Sequence, residues 1–313
     1  MHFAIRFLTE YVYDAPVSDN LNALRVRPAT TSSQRCDEFT VRIEPEARVG
    51  RHSDYFGTEV LEFGIVRPHT RLSIDVRARV VTAEPAEPPA VDWAALDTEA
   101  YGEAAGEFLL PAGDEPFGDV IDELCAAVRR PSPLATLECL YDLIPDRYEY
   151  RSGATFVGTT VSEFLAAGAG VCQDYVHLGL IMLRRNGIAA RYVSGYLWAA
   201  PKDEGADSVE VETHAWLEAL LPGAGGRGEG GGGEPQTGYV GPASGKDGWG
   251  EPVWVGADPT NRRLAGERHV KIGHGRHYAD VPPVRGVYQG SAGSRLDASV
   301  HMTRLDPQTS ARA

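Results

Sequence analysis

The chain has 313 residues, 42% of them hydrophobic and 24% charged, with a formal net charge of −14. That length suffices for two domains or one large one, and the acidic balance argues against binding nucleic acid or an anionic membrane through a broad basic surface. No apolar run approaches the roughly 18 residues of a membrane span, and Arg6 and Glu10 interrupt the opening MHFAIRFLTEYVY where a signal segment would be apolar, so a cytoplasmic protein is expected.

Residues 1–83 read as strands. Phe3, Ile5 and Phe7 alternate with polar or small neighbours, as do Phe39, Val41 and Ile43, and then Leu72, Ile74, Val76, Ala78 and Val80. Period two repeated between turn-formers predicts an all-β domain of mostly antiparallel strands, sandwich-like or barrel-like. EPAEPPAVD then opens a linker expected over 84–115. Helical spacing begins near Pro116, with Val120, Ile121, Leu124 and Val128 on one face. Ser132 and Pro133 supply an N-cap and first-turn proline for the next helix. A third helix starts at the capping box formed by Thr160 and Glu163 and stops near Gly168. The fourth, 172–186, is apolar on several sides with Gly187 as its C-cap, which predicts a central, buried helix.

Strands are expected over 191–198, 209–221 and 252–257. The last two are separated by a glycine-rich insertion, 223–250, that reads as a flexible loop. In the tail Leu296, Ala298, Val300 and Met302 alternate as one more strand, open to either sheet. The fold class is therefore α+β, with a core over 116–283 and a C-terminal segment, 284–313, adding one strand. There is no internal repeat of 20 to 50 residues.

Four cysteines, Cys36, Cys125, Cys139 and Cys172, show neither metal-ligand spacing nor disulfide density, so free thiols are expected. Cys172 stands apart. At the first turn of a helix its sulfur meets unpaired N–H groups and the positive end of the macrodipole, both of which favour thiolate. A thiol of pKa about 8.5 is still mostly protonated at neutral pH, so a base is needed. THAWLEALL offers His214 in a strand, and VWVGADPTN offers Asp258 at a strand end to orient the ring. Taken singly, each also fits a blander role: a buried small thiol, a core histidine, a turn-forming acid before proline. Their order on helix, strand and strand favours nucleophile, base and orienting group.

Other polar residues carry weaker signals. Gln173 is placed to solvate the helix end, with the Cys172 backbone N–H the better oxyanion donor. Asp174 suits the helix dipole, and His177 is expected to be structural. His269, His274 and His277 have no carboxylate or thiolate at a recognised metal spacing and read as solvated or hydrogen-bonded. Trp216 and Tyr196 fit either a cleft wall or the core.

The motifs GVCQDYVHL, GIAARYVSGY, THAWLEALLPG and WVGADPTN resemble the core of the bacterial transglutaminase-like superfamily. YDAPVSDNLNALRVRPATTSSQ and DYFGTEVLEF resemble the N-terminal β-domain that accompanies it, and GHGRHYADVPPVRGVYQG its C-terminal segment. The similarity spans nearly the whole chain. It implies a papain-like fold of helices packed on an antiparallel sheet and a Cys172, His214, Asp258 triad, with no cofactor and no metal. Ala189 departs from the proline common in such motifs, and the join between the His and Asp strands is longer than usual. The expected activity is cysteine hydrolysis of a peptide or protein substrate through a thioester. Amine acyl transfer and a non-catalytic scaffold are the alternatives, and a metal-dependent hydrolase a distant third. The partner proteins are not legible.

Overall fold

The computed structural model describes residues 1–113, 115–199, 208–223 and 250–306. The chain begins with β1 (His2–Leu24), β2 (Gln34–Glu44), β3 (Gly50–Ser53), β4 (Glu59–Ile65) and β5 (His69–Thr82). Helices follow: α1 (Glu99–Ala105), α2 (Asp119–Val128), α3 (Pro133–Arg147), then the short β6 (Glu149–Tyr150), α4 (Val161–Ala167), β7 (Ala169–Gly170) and α5 (Cys172–Arg185). The remaining strands are β8 (Ala190–Leu197), β9 (Ser208–Val211), β10 (Thr213–Gly223), β11 (Gly250–Asp258), β12 (Arg263–Leu264), β13 (His269–Gly275), β14 (Val284–Gln289) and β15 (Ser294–Arg304).

Period-two patterning places Phe3, Ile5, Phe7, Leu72, Ile74 and Val76 on one buried face, because alternate side chains of a strand share a side. The first half of β1 pairs antiparallel with β5 and β15, and its second half pairs with β4 and β14. A register shift between Val12 and Val17 lets this one long strand serve both groups. The tail therefore contributes two strands, β14 and β15, where one was expected, and both join the N-terminal sheet.

The segment expected as a linker over 84–115 is also corrected. After the proline-rich stretch, Asp92 and Thr98 cap a 3₁₀ turn and α1. Tyr101 is fully buried; its hydroxyl donates to the Leu220 carbonyl at 3.2 Å and accepts the Ala189 N–H at 2.8 Å. A helix of seven residues shows too little periodicity to be read in advance.

The second sheet runs β12-β11-β10-β8-β13, and α5 lies against it with α2, α3 and α4 packed around. Every residue of α5 from Gln173 to Arg184 is buried. Close approach to the sheet needs Gly179, where a Cβ would come 2.6 Å from Leu217 Cδ2. The capping box of Thr160 and Glu163 and the Ser132 cap form as expected. The 209–221 pattern divides at Glu212: β9 pairs with β15 in the N-terminal sheet, and β10 pairs with β8 and β11 in the second. Tyr196, Val270 and Ile272 of the second sheet, with Trp198 just past β8, join the apolar core of the first. The glycine-rich insertion lies outside the described residues except at its ends, where Gly223 pairs with Gly250.

Candidate active site

Cys172 opens α5, half-buried, at the first helical position. The turn that presents it is held by Asp174, whose Oδ2 accepts the Val171 N–H at 2.8 Å and the Thr155 hydroxyl at 2.6 Å. Gly170 makes room, since a Cβ there would stand 2.6 Å from that same oxygen. Asp174 thus does more than the dipole role expected of it. Asp174 and Tyr175 give their N–H groups to the Val171 carbonyl, which leaves those of Cys172 and Gln173 directed out of the helix end. Tyr150 pairs across from Gly170 and flanks the thiol.

The start of β10 carries His214 to this helix end. Its Nε2 lies 2.8 Å from Asp258 Oδ2, and the imidazole is within hydrogen-bonding reach of the Cys172 thiol. A carboxylate only accepts, so Nε2 holds the proton and Nδ1 is the nitrogen left to face sulfur. Asp258 is fully buried, and all its partners are donors. Oδ1 accepts the N–H groups of Thr260 and Asn261 at 3.0 and 3.2 Å, while Oδ2 accepts His214, Asn261 Nδ2 at 2.7 Å and His269 Nε2 at 3.1 Å. His269 is itself oriented, since its Nδ1 accepts the Gly266 N–H at 3.2 Å.

The electrostatics follow. Burial opposes ionisation of Asp258, but hydrogen bonds from His214 and His269 outweigh it and hold the carboxyl well below its ordinary range. Burial likewise opposes the charged form of His214, yet Asp258 and Cys172 raise its pKa to about 10. His214, Asp258 and His269 also bring ligand atoms within 4.8 Å of one another, a grouping that could hold a metal ion. Both imidazoles already donate to Oδ2, so an ion there would have to displace those hydrogen bonds.

The structure brings Cys172, His214 and Asp258 together. Hydrogen bonding was expected for His269, but its link to Asp258 was not; the cluster of three histidines was the available signal. His274 sits apart, half-buried against Arg191 at 3.1 Å, and His277 stacks on His177 at 4.0 Å. Trp216 and Tyr196 are core residues, with Trp216 also walling His214 and His269. Burial pushes up the thiols of Cys36, Cys125 and Cys139, whereas Cys172 has an imidazole beside it. Limiting iodoacetamide followed by peptide mapping is therefore expected to label Cys172 first. Faster labelling of any other thiol would undo its assignment as the reactive one.

Fold and site define an α+β protein that sets a thiol at a helix terminus against an imidazole and a buried carboxylate. Two family models match it: the bacterial transglutaminase-like N-terminal region over residues 3–81 and the transglutaminase-like superfamily over residues 122–228. The chain belongs to the transglutaminase-like superfamily. Asp258 lies beyond the matched segment. An uncharacterized protein of Mycobacterium tuberculosis is 34% identical over 319 residues, covering 97% of this chain and 93% of its own. One of Mycobacterium leprae is 30% identical over 300 residues, covering 95% and 96%. A solved structure from Cytophaga hutchinsonii, of a cysteine protease candidate, superposes with a TM-score of 0.63 at 21% identity, covering 98% of this chain and 92% of the other. At that identity the likeness is one of fold.

No described helix is long and apolar enough to cross a membrane.

Proposed function

We propose that the protein is a cysteine hydrolase of peptide or amide bonds, acting through Cys172, His214 and Asp258. The observation that carries this reading is the position of His214, which bridges a thiol at a helix N-terminus and a buried carboxylate. The Cys172 thiolate attacks the carbonyl carbon, and the C=O electron pair moves onto oxygen, where the N–H groups of Cys172 and Gln173 stand ready to donate. His214 gives its Nδ1 proton to the leaving amine as the C–N bond breaks, which leaves a thioester. Water then loses a proton to His214 and attacks, and sulfur departs to release the acid. Asp258 holds the imidazole in the tautomer this cycle needs, and His269 and Asn261 hold Asp258.

The choice of water as acceptor rests on access. Cys172 is half-exposed, so a thioester on it meets solvent unless a partner covers the site. An acyltransferase instead needs a second site that positions an amine and excludes water. A labelled primary amine offered with a peptide-amide library separates the two. Free acid is expected to predominate, with a transient adduct on Cys172 visible by intact mass. Predominant amine conjugate, abolished in Cys172→Ala, would make the protein an acyltransferase, and absence of any adduct or turnover would favour a binding role on the same fold.

A further inference from the structure

Gln173, His177, Leu180, Ile181 and Arg184 recur at helical spacing along one face of α5 and form one wall of a cavity of about 550 Å³. Val157 and Thr159 ahead of α4 contribute to the opposite side, with Arg276, Tyr278 and Arg285 beyond β13. Its lining on α5 starts at Gln173, the residue after Cys172, and continues to Arg184 near the helix C-terminus; Cys172, His214 and Asp258 do not line it. Eleven helical steps separate Gln173 from Arg184, about 16 Å, which is the length of roughly five extended residues.

Two side chains on this wall are nine-tenths buried and keep a hydrogen-bonding group unpaired among the described residues. Gln173 is 9% exposed, and its side-chain amide makes no hydrogen bond among the described residues. His177 is 5% exposed, and its Nε2 accepts the Tyr278 N–H at 3.3 Å. That bond places the ring proton on Nδ1, which has no partner among the described residues. Burial, with His277 stacked on it, lowers the pKa of His177, so the ring offers a neutral donor. Among the described residues the lining also carries one fully buried atom with no hydrogen-bond partner, Arg276 Nε; a buried donor of this kind is ordinarily paired, which marks it as a group awaiting a ligand.

The charge of the lining selects the ligand. Glu115 neutralises Arg184 at 3.1 Å, while Arg276 and Arg285 make no ion pair among the described residues, the Arg276 Nη2 donating only to the Leu110 and Pro111 carbonyls. In a chain of net charge −14 this surplus is local and positive. We propose that the cavity binds an acidic peptide segment, its backbone carbonyls meeting the Gln173 amide and His177 Nδ1–H and its carboxylates meeting Arg276 and Arg285. The inference deepens the hydrolase reading, on which it rests for the fate of the peptide; it would be the substrate segment next to the bond presented to Cys172.

The test measures binding without chemistry. Full-length Cys172→Ala is titrated against a fluorescein-labelled hexapeptide bearing three glutamates, and against its counterpart with lysine at those positions, by fluorescence anisotropy. The acidic peptide is expected to bind at least tenfold more tightly. Arg285→Glu and Ala279→Trp, added separately to Cys172→Ala, should each weaken it at least tenfold. Both positions are exposed on the rim, so neither change disturbs the core. Equal affinity for the two peptides, no binding, or binding that survives either substitution would overturn the proposal. Because Cys172→Ala cannot turn over, that failure leaves the alkylation and adduct tests of the thiol untouched.

Discussion

Asp258→Asn is expected to lower turnover by about 10²- to 10⁴-fold, by analogy with orienting carboxylates in other triads. An asparagine oxygen could in principle still accept from the ring. Here that escape is closed. Both oxygens of Asp258 accept N–H groups, two from backbone at 3.0 and 3.2 Å and three from side chains at 2.7, 2.8 and 3.1 Å. Either orientation of the asparagine amide therefore turns an NH₂ toward donors. The ring of His214 loses its fixed tautomer, and its pKa falls from about 10 because the Asp258 contribution is removed. Steady-state rates together with imidazole NMR titration check both effects, and unchanged turnover would remove Asp258 from the mechanism.

The pH dependence of stability carries the same signature. Asp258 is depressed in the folded protein, so its contribution is present above the unfolded value near 4 and is lost as pH falls through the folded one. His214 is raised, so its contribution is complete below the unfolded value near 6.5 and is lost as pH climbs toward about 10. Both are whole between about pH 4 and 6.5. Chemical denaturation from about pH 6.5 to well below about pH 4 should show the wild-type protein losing more stability than Asp258→Asn on the acid side.

The largest loss of stability is expected from Glu218→Ala, about 3–5 kcal/mol. Glu218 on β10 is largely enclosed, its side chain 12% exposed, and its Oε2 receives Arg191 Nε and Lys271 Nζ, each at 2.6 Å. Burial works against its charge, but the two cations prevail and keep the carboxyl below its ordinary range. Arg191 lies 3.8 Å from the Trp254 ring, and burial already brings Lys271 down to about 8. Removing the carboxylate strands two cations in the interior, where an unpaired charge costs far more than an exposed pair ever contributes. Urea unfolding at pH 7 measures the difference. A loss under 1 kcal/mol would show that water reaches the pair and screens it.

The legible parts of this protein were those decided within one segment. Cys172 follows a glycine-rich turn and precedes an apolar run, which already places a thiol on a helix end. His214 and Asp258 sit in strand patterns that follow in order. The Ser132 cap, the Thr160–Glu163 capping box and the alternation of β1 and β5 are likewise local, because each depends on hydrogen bonds or faces spanning a few residues. The pieces that escaped depend on packing between distant segments. Val209 to Leu221 reads as one strand, yet the chain leaves one sheet and enters the other at Glu212, since β15 from the far C-terminus supplies a partner for β9 that no local pattern announces. The helix α1 is stable where it is because Tyr101 is bonded to Leu220 and Ala189, not because seven residues make a stable helix.

The same division runs through the site. The amino-acid sequence by itself determined which chemical groups are available and in what order, because residue type and helix-end position are properties of the chain. Only the tertiary structure decided what each group does. His269 orients Asp258 because β13 returns beside β8 and brings an imidazole to a carboxylate eleven residues earlier. Asp174 secures the thiol-bearing turn because Thr155 arrives from a separate loop. Gln173 and His177 become cavity walls because neighbouring elements leave that face of α5 open. A hydrogen bond requires a partner within about 3 Å at the right angle, and for these groups the partner, or its absence, is set by the fold rather than by sequence distance.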